Sequence, residues 1–269
     1  MKSDFDFKQF VSEAKVQFQI EQGKEPKIIY SPKRAPFADE MQDFIKTKWK
    51  EAKQKWPRMY NDKLYHVTKK EYSELNIVFH TIDSDYQEYV GTRNSEFKKL
   101  FGTDFVVNPL SIGLLVATSD YKILIGRRKF VDTWEGFYST VAGYVQHPKR
   151  PETPPDLNET INQELFQEAA IVSKDIVNVN FLGSFGDSYL IYEVKVKVAY
   201  SELVSRKPSE VEFARLEYIE NADDALELFV DANRLAIMPG CLRGLIYFGL
   251  QHFGTKWGSD LADTKGSSV

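Results

Sequence analysis

Apolar positions along the chain follow two periods, and the change from one to the other marks the elements. Ile45, Trp49, Ala52 and Trp56 recur at spacings of four, three and four, one face of an amphipathic helix over 39–56, while Lys46, Lys50 and Lys53 fall off that face as a solvated side. Pro57 ends the helix, and 64–67 and 75–82 are rich in β-branched and aromatic residues, the composition of strands. Upstream, 4–14 reads as a short helix and 16–21 alternates like a strand. Residues 83–94 are polar and loop-like. Ser95 can cap a short helix through Phe101, which Gly102 stops.

Past a boundary near Phe105, 110–117 and 121–128 are apolar runs separated by Thr118-Ser119-Asp120, the pattern of a hairpin. A third strand is expected around 137–145. Four prolines make 147–158 a loop, and 159–171 continues without a breaker as a helix. Strands follow over 177–185, 189–198 and 211–219, then helices over 222–229 and 238–253, then a polar, frayed tail over 254–269. No internal repeat is visible. The order predicts an α/β protein with two units: a smaller N-terminal α+β domain (1–105) and a second domain (106–253), followed by the tail (254–269).

Composition narrows the class. Of 269 residues, 42% are hydrophobic and 28% charged, values of a folded globular chain. The net charge of −4 offers no basic field for a phosphate backbone, so nucleic acid is not an expected partner. No apolar run approaches the ~20 residues that span a bilayer, and the start MKSDFDFKQF lacks a basic then apolar leader pattern. A cytoplasmic location and no membrane partner are the expectations. The single cysteine, Cys241, reads as a small core residue. His66, His80, His147 and His252 share no spacing, no Ser/His/Asp set assembles, and a zinc-type cluster is not supported.

The chemistry concentrates in the helix after the proline loop. Glu164 and Glu168 stand four apart and share a face, with Gln167 beside them. Like charges at that spacing cost roughly 0.2–0.5 kcal/mol in an isolated helix, so solvent or a cation must compensate. Ile161 and Leu165 form the neighbouring apolar stripe that would pin the helix to a sheet and fix where the acids point. Hard carboxylate oxygens suit magnesium, which takes one or two carboxylates plus substrate phosphates. A glutamate pair alone also describes any solvated helix face; the glycine-bearing strand end at Ala142-Gly143, the loop and the flanking strands give this pair its context.

From Gly143 to Ile171 the sequence resembles the Nudix hydrolase box, which runs from a glycine through a loop acid to Arg-Glu-apolar-x-Glu-Glu-x-Gly-apolar. Gly143, Glu152 in the loop and 163–171 take those places, with Gln163 for the arginine, Gln167 for the first of the paired glutamates, Ala170 for the last glycine and a longer loop. Regions outside the box, at 45–66, 85–94, 108–120 and Gly126-Arg127-Arg128, resemble the UDP-sugar diphosphatase branch, whose own box tolerates glutamine at the arginine position. Departures from that branch fall at Val141-Ala142, Arg93 and Gln146. The resemblance implies a Nudix-type α/β/α sandwich with a mixed sheet, and an N-terminal domain that shapes the nucleotide pocket. It also implies Mg2+-dependent hydrolysis, with Mn2+ as a substitute, of UDP-glucose or UDP-galactose to UMP and a sugar 1-phosphate.

Carried over residue by residue, the resemblance makes Glu164 and Glu168 the metal ligands, with Gln167 offering an uncharged amide oxygen to the metal or its water. Arg127 and Arg128 end a strand beside the site. Either guanidinium could hold phosphate oxygens, although strand alternation turns one of them to solvent, and Arg128 is the one expected at the ligand. Tyr86 could stack on a uracil whose polar edge Thr92 and Asn94 reach, or the three could be plain turn chemistry. Glu210 and Glu212 read as a solvated strand face or as a further acid or base from the opposite wall. Two other readings stay open: a nucleotide-binding module with a decayed box, and a Nudix hydrolase of ADP-ribose or another nucleoside diphosphate. The expected partner in each is a small nucleotide; the oligomeric state is not encoded legibly.

Overall fold

The computed structural model describes residues 18–20, 24–129, 135–145, 147, 154–208 and 212–220. The expected helices over 4–14, 222–229 and 238–253, the tail, Glu152, Glu210 and Cys241 lie outside them. The fold is α/β with mixed sheets, as the order of elements predicts.

The N-terminal part builds a three-stranded sheet from β2 (Glu25–Arg34), β3 (Lys63–Tyr72) and β4 (Asn76–Asp85), with β4 central, parallel to β2 and antiparallel to β3. Helix α1 (Asp39–Lys55) lies between β2 and β3 in sequence and buries Ile45. The polar stretch expected as loop is instead the end of β4 followed by helix α2 (Tyr86–Thr92). Asp85 supplies what a polarity reading underweights, because its carboxylate accepts the Glu88 amide at 3.0 Å as an N-cap. Helix α3 (Ser95–Phe101) follows, capped by Asn94 and closed at Gly102 with φ +91°.

The larger sheet runs β1 (Phe18–Ile20), β9 (Ile176–Phe185), β10 (Tyr189–Val196), β5 (Ser111–Ala117), β6 (Ile123–Arg128), β11 (Phe213–Ile219). Short strands β7 (Tyr138–Ser139) and β8 (Val141–Tyr144) pair with β6 and β5. The expected β5–β6 hairpin barely exists as a ladder, since only Ala117 and Ile123 pair. β5 instead runs parallel to β10 and antiparallel to β8, so its backbone bonds are satisfied on both edges and the two arms splay. That explains why every β5 residue from Ser111 to Val116 is buried: a strand covered on both faces reads as a continuous apolar run. The opening between the splayed arms is where β8 enters.

Helix α4 (Leu157–Ala169) lies against β8 and buries Ile161 and Leu165 in the apolar core, both essentially inaccessible. Asp156 caps its start, accepting the Asn158 amide at 2.9 Å, and Ala170 ends it in the left-handed region at φ +53°. A 3-10 turn (Ser173–Asp175) and helix α5 (Tyr200–Leu203) complete the described elements. One apolar core joins both sheets: Tyr65, Val67, Ile77 and Phe79 pack with Leu110, Ile112, Val141 and Leu165. The backbone continues across the junction, where Leu110 donates to the Tyr65 carbonyl at 2.8 Å and Val67 to that of Asn108 at 2.8 Å.

Candidate active site

A cleft of about 1280 Å3 opens between the two parts. One wall carries Arg128 from β6, Ala142 and Gly143 from β8, Gln163, Glu164 and Gln167 from α4, and Glu212 just before β11. The other carries Trp56 and Tyr60 after α1, and Tyr86, Tyr89 and Arg93 from α2 and its end; Tyr144 joins them from β8.

Gly143 and the acidic helix are fitted to one another. A Cβ on Gly143 would stand 2.2 Å from Glu164 Oε1 and 2.3 Å from its carboxyl carbon, so only glycine lets α4 sit this close to β8. Glu164 lines the cleft and is 8% exposed. Glu168, one turn on, lies deeper and is buried. Its Oε2 accepts the Ala142 amide at 2.9 Å, and its Oε1 is enclosed with no hydrogen-bond partner. Burial pushes the Glu168 carboxyl well above its usual range, and the Glu212 and Glu164 carboxylates push the same way. Any hydrogen bond between Glu168 and Glu212 needs a proton on one of them, since two ionised carboxylates have no donor to share.

Glu212 is the residue that sequence reasoning undervalued. On strand spacing it reads as solvated, yet it closes the acidic wall. Arg128 faces it at 3.5 Å, with a side chain that is 11% exposed and a buried Nε that also has no partner. The only hint in the sequence is an acid at the mouth of a predicted strand.

Several expected positions turn elsewhere. Arg127 points out of the cleft and donates from Nε to the Gly136 carbonyl at 3.1 Å, as strand alternation with Arg128 requires. Thr92 is fully buried, its hydroxyl accepting the Val107 amide at 3.0 Å, so it ties α2 to the chain before β5 and offers nothing to a ligand. Asn94 spends its carbonyl oxygen on the Glu96 amide at 2.9 Å as a helix cap. Tyr86 does line the cleft, within a triangle of rings: centroids lie 5.8 Å from Tyr89 and 5.9 Å from Tyr144, and Tyr89 stands 5.7 Å from Tyr144. Trp49 meets the edge of Tyr86 at 6.3 Å, and the Arg93 guanidinium lies 4.9 Å from the Tyr89 ring centre. Burial, with Tyr89 and Tyr86 close by, holds the Tyr144 hydroxyl above its usual range.

Among the described residues, no three or more carboxylate, imidazole or thiol side chains gather tightly enough to form a ready-made metal cage. The donor set nevertheless fits a hard divalent cation. Glu164 and Glu168 present only oxygens, and with Glu168 and Glu212 both ionised the buried Glu168 Oε1 has no donor, a repulsion that a proton or a cation relieves.

No family model matches the chain, and no curated protein matches it. Solved structures do. The NUDIX domain of Shewanella oneidensis NrtR, complexed with ADP ribose, is 14% identical over 47% of this chain and 80% of its own, with a TM-score of 0.34. A Nudix hydrolase from M. smegmatis, RenU, is 12% identical over 60% and 88%, with a TM-score of 0.33. A C. elegans Ap4A hydrolase is 16% identical over 52% and 97%, with a TM-score of 0.32. The first two of these neighbours are Nudix proteins by name. At such identities and scores they report likeness alone, and the functional reading rests on the cleft.

Proposed function

We propose that the protein is a Nudix-type diphosphatase that hydrolyses the diphosphate bridge of a nucleoside diphosphate sugar, UDP-glucose or UDP-galactose first, with Mg2+ or Mn2+. The observation that carries this reading is a pair of enclosed polar atoms of opposite kind beside the cleft: the acceptor Glu168 Oε1, one helical turn behind the lining Glu164, and the donor Nε of the lining Arg128, neither with a hydrogen-bond partner. A buried polar group left unsatisfied costs about 1–3 kcal/mol, so two beside one cleft point to a ligand that satisfies both. A cation on the carboxylates and a phosphoryl oxygen on the guanidinium is such a ligand.

Glu164 and Glu168 are the residues to hold the metal, and Gln167 stands beside them in the cleft with a neutral amide. The metal, when bound, neutralises the diphosphate oxygens and lowers the pKa of a coordinated water. Two carboxylates would match one divalent charge, so Glu164 and Glu168 would hold a cation weakly unless substrate phosphate oxygens joined them. Arg128 orients a phosphoryl oxygen while Glu212 holds the guanidinium in place and offers a carboxylate to accept a proton. Tyr86 and the rings around it give the base an aromatic wall. The same geometry would serve ADP-ribose, so the identity of the base rests on the sequence resemblance.

The test is chromatography of the wild type and Glu168→Gln with UDP-sugars, ADP-ribose and other nucleoside diphosphates, with Mg2+ and with chelator. Metal-dependent UMP release, lost in the variant at an unchanged melting temperature, is the expected result. Release of AMP in preference to UMP would change the substrate, and silence across the panel would overturn hydrolysis in favour of a nucleotide-binding module.

A further inference from the structure

Outside the cleft, the structure buries one more chemically distinctive group. His147 lies three residues beyond the end of β8 and nine before the cap of the acidic helix. It reaches back into the N-terminal sheet. Its ring stacks on Tyr65 at 4.4 Å and 5°, stands edge-on to Tyr30 at 5.9 Å, and meets Asp83 Oδ1 through Nε2 at 3.0 Å. Tyr30 donates its hydroxyl to the same Asp83 oxygen at 2.7 Å. The His147 side chain is 8% exposed. A carboxylate can only accept, so Nε2 is the donor and the imidazole is keyed in one orientation.

The position of this contact in the chain gives it a consequence. β8 carries the Ala142 amide that holds Glu168 and the Gly143 gap that admits Glu164. Val145 fixes β8 to β5 by donating to the Leu110 carbonyl at 2.9 Å. Two residues later His147 fastens the same segment to a different sheet, on residues of β2, β3 and β4. We infer that His147, with Asp83 as its anchor, is a positioning residue for the acidic site: it sets how β8 leaves the sheet, and through β8 the register of Glu164 and Glu168. The inference rests on the proposed reaction for its functional meaning, but its physical content does not.

The experiment uses the full-length protein and His147→Ala, His147→Gln and Asp83→Ala. Hydrogen exchange over 141–145 and 157–169 reads the anchor directly. His147→Ala and Asp83→Ala should both accelerate exchange there and leave 176–185 and 189–196 as in the wild type. His147→Gln, which retains a donor for Asp83, should restore part of the protection. A Mn2+ titration followed by loss of the free-ion electron paramagnetic resonance signal should show affinity falling about tenfold in His147→Ala, as for residues that orient metal ligands. Where turnover is present, kcat should fall and KM for the nucleotide should hold. Unchanged exchange over 141–145 and 157–169, or acceleration spread evenly over the chain, would overturn the inference. A wild type that hydrolyses nothing would overturn the proposed reaction while leaving the exchange result to stand or fall by itself.

Discussion

The Arg128 guanidinium meets the Glu212 carboxylate at 3.5 Å, because Arg128 pairs in register with Phe213 and so lies beside the residue that precedes it. One cation and one anion therefore reach the same wall from adjacent strands. Arg128→Lys keeps the charge and loses the planar donor set, so it should raise KM for a nucleoside diphosphate sugar about tenfold, the worth of one charge-assisted hydrogen bond, with a smaller effect on kcat. Steady-state kinetics checks this. An unchanged KM would remove Arg128 from the ligand.

Gly143→Ala drives a methyl group into Glu164. The added carbon must displace the carboxylate or push α4 from β8, at about 1–3 kcal/mol. The melting temperature should fall, and metal-dependent turnover should fall with it. Combining it with Glu164→Ala, which removes the obstructing carboxylate, should recover stability but not turnover; a double variant as unstable as Gly143→Ala alone would place the clash in the backbone instead.

Arg206 ties down the far end of the acidic helix. It donates from Nη1 to the Ala170 carbonyl at 3.0 Å and to Asp175 Oδ2 at 2.5 Å. The Arg206 guanidinium holds the Asp175 carboxyl below its usual range. The folded state thus binds that proton later than the unfolded chain. The contribution is complete above the unfolded value of about 3.9 and is lost as pH falls through the lower folded one. Arg206→Met should cost about 2 kcal/mol at neutral pH and flatten the acid limb of a denaturation series between pH 5 and 2.

His66 sets a second pH window. Burial pushes its imidazole below the usual value, and its Nδ1 accepts the Asn108 amide at 2.9 Å, a bond that the doubly protonated ring would lose. Unfolding therefore takes up a proton once pH drops below about 6.5. Stability should be level above that pH and decline beneath it, by at most about 1.4 kcal/mol per unit. His66→Asn keeps an acceptor and removes the titration, so urea midpoints between pH 5 and 7 should lose that slope. A slope that persists would belong to another group.

Elements with a strong local period were legible in the residue pattern alone, as was the placing of the chemistry on one of them. The α1 face, the α4 stripe of Ile161 and Leu165, and the acids four apart on that helix all follow from spacing that the backbone repeats every turn. Gly143 was legible as a glycine at a strand end, but its reason, the oxygens of Glu164 pressed against it, lies twenty-one residues away. The rest came from packing of the folded chain, because strand pairing and side-chain contacts join residues with no sequence relation. It splayed the β5–β6 hairpin to admit β8, and it turned Arg127 outward and Arg128 inward. It assigned Thr92 and Asn94 to backbone amides and brought Glu212 beside Arg128 and Glu168. It also seated His147 on Asp83, sixty-four residues upstream. A periodic pattern announces which face is buried; which polar group meets which is settled only when separate segments share one core.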